Sequence, residues 1–158
     1  VLKEHDIKWV LGHGNLIECV RGEPIYHDDD IDIRLDIDDI HKWIQYQNSC
    51  VNGIDEKYGL KYDDRYCQIE KQKYNGIQVE LIETMPPFRI HADIVFNIVG
   101  SDFWLNYLID YDSIKPVRYL DCDCYIPNDD DTARVLITQY GNNYLIPDIR
   151  KKIIYSKT

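Results

Sequence analysis

The chain has 158 residues, 44% hydrophobic and 29% charged, enough for one domain with a real core and too few for two ordinary ones. Its formal net charge of −10 at pH 7 argues against binding nucleic acid, because affinity for that backbone comes from clustered Lys and Arg. An acidic chain still handles phosphates when metal ions supply the positive charge, so the balance favours a metal-dependent enzyme or a plain solvated surface.

In chain order, the first ten residues read as a helix end leading into a short strand at 8–11. Gly12 and Gly14, two apart, mark a tight turn or a close backbone approach, and 16–20 follow as one or two helical turns. Gly22-Glu23-Pro24 is a loop. Residues 30–35 alternate strictly, Asp30, Asp32 and Arg34 against Ile31, Ile33 and Leu35, which is the period of a half-buried strand. Asp38 is placed to cap a helix through about residue 48, with Ile40, Trp43, Ile44 and Gln47 at helical spacing.

Further strands are expected at 66–73, 79–83, 91–98 and 119–125, with Asn75-Gly76 as the hairpin turn between the first two. Residues 103–111 read as a short helix. Pro127-Asn128-Asp129 opens another, which runs to Tyr140 and stops at Gly141. The run Asp129-Asp130-Asp131 suits that helix start, where the dipole favours negative charge.

No repeat or linker divides the chain, so the expectation is α+β, a single domain over 1–158 with a mixed central sheet flanked by helices. The chain opens on Val1, which leaves open a trimmed or processed start and an N-terminal segment ahead of it. Five cysteines form no CxxC pair, and the odd count does not suit a disulfide scaffold. Cys122 and Cys124, on one face of their strand, read as small buried hydrophobes, with a zinc pair as the alternative. No run of about 18 apolar residues is present to span a membrane, and no signal-peptide pattern opens the chain; a cytoplasmic location without membrane insertion is expected.

Chemistry concentrates in the acidic strand. Aspartates at i and i+2 lie on one face about 6–7 Å apart, from where their carboxylates converge on Mg²⁺, or the similar Mn²⁺, which prefer oxygen ligands. Two-ion phosphoryl transfer adds a third carboxylate from a neighbouring strand. Asp93 is the candidate, since an aspartate among residues as apolar as Ala92, Ile94 and Phe96 needs a partner. A solvated acidic surface is the bland alternative for Asp28 to Asp32. An EF-hand fits poorly, because Ile33 stands where the loop needs glycine. Arg21 is placed to hold a phosphate bidentately or to form a surface ion pair. His13, between glycines, is a candidate ligand contact, and His27 a general acid or a loop residue.

The run Trp9-Val10-Leu11-Gly12-His13-Gly14-Asn15-Leu16-Ile17-Glu18-Cys19-Val20-Arg21, then Asp28-Asp29-Asp30-Ile31-Asp32-Ile33, resembles the LicD/fukutin-type family of the nucleotidyltransferase-fold superfamily. In that family a glycine turn, a helix ending in arginine and a DDDID strand follow in this order. His91-Ala92-Asp93-Ile94 looks like its second acidic strand, and Tyr125-Ile126-Pro127 with a helix ending Gln139-Tyr140-Gly141 like its C-terminal signature. The chain departs at Asn15, where the family has Thr or Ser, at Glu18 and Cys19, where it has small residues, and at His27, where it has Trp. The resemblance implies a nucleotidyltransferase-like fold and transfer of a phosphorylated alcohol, such as phosphocholine or phosphoribitol, from a CDP-activated donor to a sugar.

Residues and resemblance together assign Asp30, Asp32 and Asp93 as catalytic carboxylates holding Mg²⁺ or Mn²⁺. Gly12, His13, Gly14, Asn15 and Arg21 surround the donor phosphates, and His27, Asp28 and Asp29 support from outside. The expected partners are a nucleotide-activated donor and a sugar or glycan acceptor. A transferase acting directly on a nucleoside triphosphate, a binding module that lost turnover and a structural acidic domain are the alternatives.

Overall fold

A computed structural model describes residues 1–23, 31–69, 72–81, 91–96 and 108–146. Asp28, Asp29, Asp30 and His27 lie outside the described residues, as does most of the helix expected at 103–111; residues 108–110 have no regular structure.

The elements run β1 (Trp9–Leu11), α1 (His13–Arg21), β2 (Ile31–Leu35), a 3-10 turn (Ile37–Asp39), α2 (Ile40–Ser49), β3 (Ile54–Asp55), β4 (Leu60–Ile69) and β5 (Gln72–Leu81). After them come β6 (His91–Phe96), β7 (Lys115–Tyr119), β8 (Cys122–Ile126) and α3 (Asp129–Tyr140). The first six strands form one sheet in the order β1-β2-β6-β5-β4-β3. Its β2–β6 pair is parallel and the other pairs are antiparallel, while β7 and β8 make a separate hairpin. The architecture is α+β with a mixed sheet, as expected.

Several local expectations are corrected. Asn75-Gly76 does not turn the chain: the two residues pair with Tyr66 and Arg65 inside a ladder that closes at Ile69–Gln72. A local turn preference yields there to a register of ten cross-strand pairs, each a fraction of a kcal/mol. The single strand expected at 119–125 is a hairpin, turning at Leu120 and Asp121 with φ 48° and 59°. Positive φ at both central residues is the type I′ requirement, met here without glycine or asparagine. Asp38 does not cap α2; it lies in the 3-10 turn, where its N–H donates to Asp36 Oδ1 at 3.1 Å. Along α2, Tyr46 rather than Ile44 is buried beside Trp43.

Among the described residues, two apolar clusters hold the fold. Ile7, Leu35, Trp43, Tyr46, Tyr62 and Ile94 pack together where α2 meets one face of the sheet. Trp43 meets Tyr46 and Tyr62 edge-on, and the Tyr46 hydroxyl lies 2.7 Å from that of Tyr62 and 2.5 Å from Asp55 Oδ2. Burial, then the hydrogen bonds with Asp55 and Tyr62, push the Tyr46 phenol up. Burial pushes Tyr62 to about 12 against the hydrogen bond with Tyr46, which lowers it, so both stay neutral. The second cluster gathers Leu11, Leu16, Ile17, Cys124, Ile126, Val135 and Leu136 from β1, α1, β8 and α3. Each fully buried Leu or Ile contributes about 1.5–3 kcal/mol.

Asp39 ties the chain's start to α2. Its Oδ2 accepts the Lys8 N–H at 2.9 Å, and its Oδ1 meets Lys42 Nζ at 2.9 Å. Burial pushes this carboxyl up, but the Lys8 N–H and the Lys42 ammonium outweigh it and hold the group below its ordinary value. A folded value below the unfolded one means stabilisation that is present above the unfolded pKa and lost as pH falls through the folded one. Asp39→Ala should therefore cost about 1–3 kcal/mol in urea denaturation near neutrality, with the gap to wild type closing in acid as the pH falls below the ordinary carboxylate range. At the hairpin, Leu120→Asn with Asp121→Gly should raise stability by about 1–2 kcal/mol in the same assay, because left-handed backbone costs about that much for an ordinary L residue.

Candidate metal and phosphate site

β2 and β6 lie side by side and parallel, with Asp32 in register with Asp93. Paired positions on adjacent strands share a sheet face and sit about 4.8 Å apart. Leu35 and Ile94 belong to the cluster under α2, so positions 32 and 93, one step out of phase, fall on the opposite face.

Arg34 shares that face with Asp32 by the same alternation, and it is only 4% exposed. It was not among the residues singled out from sequence, although the alternation placed it beside the acidic pair. Gly12 makes room for it. A Cβ on Gly12 would stand 3.1 Å from Arg34 Cγ, 3.3 Å from Cδ and 3.8 Å from Asp32 Cβ. The close-approach reading of this glycine is thus the right one, and its φ of −123° needs no special freedom. The alternative reading of the glycines, a tight turn, does not hold at Gly12, which is the extended N-cap; α1 starts at His13, three residues before the helical turns read from sequence. His13 itself adopts φ 41°, and its Nδ1 lies 3.2 Å from Gln139 Nε2 on α3.

How β1 becomes α1 decides the surroundings of Asp32. The Gly12 N–H donates to the Asp32 carbonyl at 2.9 Å. A continuing antiparallel ladder would return the Asp32 N–H to the Gly12 carbonyl. That carbonyl instead accepts the Leu16 N–H at 3.1 Å, the first bond of the helix. Asn15 Oδ1 takes its place and accepts the Asp32 N–H at 2.6 Å. Asn15 Nδ2 donates to Tyr119 Oη at 3.2 Å, and the Tyr119 hydroxyl donates to the Glu18 carboxylate. Asn15 and Glu18 are 4% and 8% exposed, so this is an interior network.

The structure gathers Gly12, His13, Gly14 and Asn15 at the start of α1, beside Asp32 and the register partner Asp93. Arg21 stands at the other end of that helix, about 12 Å further along its axis. Its Nε donates to the Tyr144 carbonyl at 2.7 Å and its Nη2 reaches the Ile146 carbonyl at 3.4 Å, tying down the chain beyond α3. Near the exit of β2, burial pushes the Tyr111 phenol above its usual range despite the charge of Arg34, with Asp36 pushing the same way.

Of the cysteines, Cys124 is buried in the second cluster and Cys122 is exposed. Burial pushes the Cys124 thiol up, the behaviour of an inert core thiol rather than a thiolate ligand. Among the described residues no three His, Cys, Asp or Glu groups come together as a metal site, and no helix is long and apolar enough to cross a membrane.

No family model matches the chain, and no curated protein matches it.

Arg21→Ala should lower stability by about 1 kcal/mol in chemical denaturation, since the two carbonyls lose a charged donor but stay near solvent.

Proposed function

We propose that the chain is a metal-dependent transferase of nucleotidyltransferase type, moving a phosphate-containing group from a nucleotide-activated donor to a sugar hydroxyl. The observation that carries this reading is the in-register pairing of Asp32 with Asp93 on adjacent parallel strands, beside a helix that starts at a glycine. A phosphocholine- or phosphoribitol-like group is the proposed cargo, on the resemblance of the Gly12 to Asp32 segment.

Two strand carboxylates are hard oxygen donors and suit Mg²⁺ or Mn²⁺ rather than a softer metal. Asp32 and Asp93, joined by Asp30, would hold the ion. Such an ion would supply charge neutralisation at the donor phosphates.

The remaining work falls to the protein. The first-turn N–H groups of α1 meet no side-chain cap from Gly12, and a helix N-terminus favours phosphate. They orient the donor, with His13 as the first residue of that turn. The acceptor hydroxyl oxygen forms a bond to the donor's outer phosphorus as the bond to the nucleoside monophosphate oxygen breaks. The hydroxyl proton passes to Asp93, and the nucleoside monophosphate leaves. Positioning and fixed charge supply most of the rate in such a transfer.

Asp32→Asn and Asp93→Asn should each abolish Mn²⁺ binding in titration calorimetry. They should also abolish release of CMP from CDP-choline with a sugar acceptor, followed by phosphorus NMR. Full turnover in either variant sinks the assignment, and pyrophosphate released from CTP or ATP would instead assign direct nucleotidyl transfer. Binding without any product would leave a nucleotide-binding module.

A further inference from the structure

We infer that Asn15 is a positioning residue for the metal strand, holding the peptide of Asp32 through its side-chain amide rather than touching the donor. The inference rests on the reading of Asp32 and Asp93 as metal carboxylates. Helix and sheet compete there for a single carbonyl. Gly12 O is committed to Leu16 N–H, so the sheet loses an acceptor at the level of Asp32. Asn15 Oδ1 restores it at 2.6 Å, and the strand keeps its edge pairing one residue past the end of β1.

The same side chain is engaged at its other end. Asn15 Nδ2 reaches Tyr119 Oη at 3.2 Å, and Tyr119 donates onward to Glu18, one turn along α1 from Asn15. The last residue of β7 therefore clamps the first and second turns of α1, with the fully buried Leu16 and Ile17 packed against β8 and α3 from the same helix. Asn15 cannot swing away from Asp32 without leaving buried polar groups unmet, at about 1–3 kcal/mol each. A metal ligand must hold its place to within about 0.5 Å, and supporting hydrogen bonds typically change metal affinity about 10–100-fold.

The test uses the full chain and reads two things, hydrogen exchange at the Asp32 amide by NMR and Mn²⁺ affinity by electron paramagnetic resonance. Asn15→Ala should make the Asp32 amide exchange at least about tenfold faster and weaken Mn²⁺ about tenfold. Asn15→Asp, which keeps an oxygen acceptor, should preserve the amide's protection. Tyr119→Phe should give a smaller change of the same sign in both readouts, and it carries the test alone if Asn15→Ala does not fold. An Asp32 amide still protected in Asn15→Ala overturns the inference, and so does an unprotected amide with wild-type Mn²⁺ affinity. A wild-type chain with a protected amide and no Mn²⁺ binding shows instead that the metal reading has failed, taking the positioning role with it.

Discussion

The peptide N–H of Asp32 has to find an acceptor at the point where the neighbouring strand turns into a helix. A helix start and a sheet edge both call on the carbonyl of Gly12, and the helix takes it. An unmet buried N–H costs about 1–3 kcal/mol, comparable to a sizeable share of a small domain's net stability. The Asn15 amide resolves the conflict, and in doing so links three elements that are far apart in sequence. Sheet, helix and hairpin meet at one side chain. Gly12 contributes the other half of the solution, because its missing side chain leaves space for the stem of Arg34 across the same junction.

The acidity of the chain looks different once its aspartates are traced. Several act as backbone acceptors: Asp39 for Lys8, Asp36 for Asp38, Asp55 for Tyr58, Asp110 for Asp112 and Asp131 for Asp110. Those of Asp36, Asp55 and Asp110 are local turn devices, in which a short carboxylate substitutes for a carbonyl, while Asp39 and Asp131 reach backbone 31 and 21 residues away. Asp131 also pairs with Arg134 at 3.0 Å within α3. Much of the negative charge therefore serves the fold, and an acidic run is by itself a poor guide to a metal. What separates Asp32 is its place: a strand interior, in register with a second aspartate, with its backbone fixed by a buried amide.

Legibility followed the range of the determining interaction. β2 was readable because strict alternation is local, and α3 because Asn128 at its start and Gly141 at its end are local signals. Asn128 Oδ1 accepts the Asp131 N–H at 2.8 Å, and the Gly141 N–H closes on Ile137. The β4–β5 ladder misled because Asn75-Gly76 is a strong turn signal overridden by pairing along the whole strand. The β7–β8 turn was invisible because Leu120, at its first central position, carries no turn chemistry and Asp121 alone is a weak signal; Val117–Cys124 and Tyr119–Cys122 pairing dictates their backbone. At the site, the acidic positions and Gly12 were legible as residue types at a spacing. The part played by Asn15 was not, since its partners Asp32 and Tyr119 lie 17 and 104 residues away.

α1 then explains why the C-terminal elements belong to the site. A helix of nine residues is too short to be stable alone, since isolated helices below about 12–15 residues are marginal in water. Its orientation comes from Leu16 and Ile17 packed against Ile126, Val135 and Leu136, and from contacts at both ends. At its start Asn15 reads β2 and β7; at its finish Arg21 holds the carbonyls beyond α3. A change in the packing of α3 or the hairpin would rotate or slide this helix, and Asn15 would carry that movement to the peptide of Asp32. The acidic strand is thus held from a distance by packing and hydrogen bonds made outside it, and the helix between them is the lever.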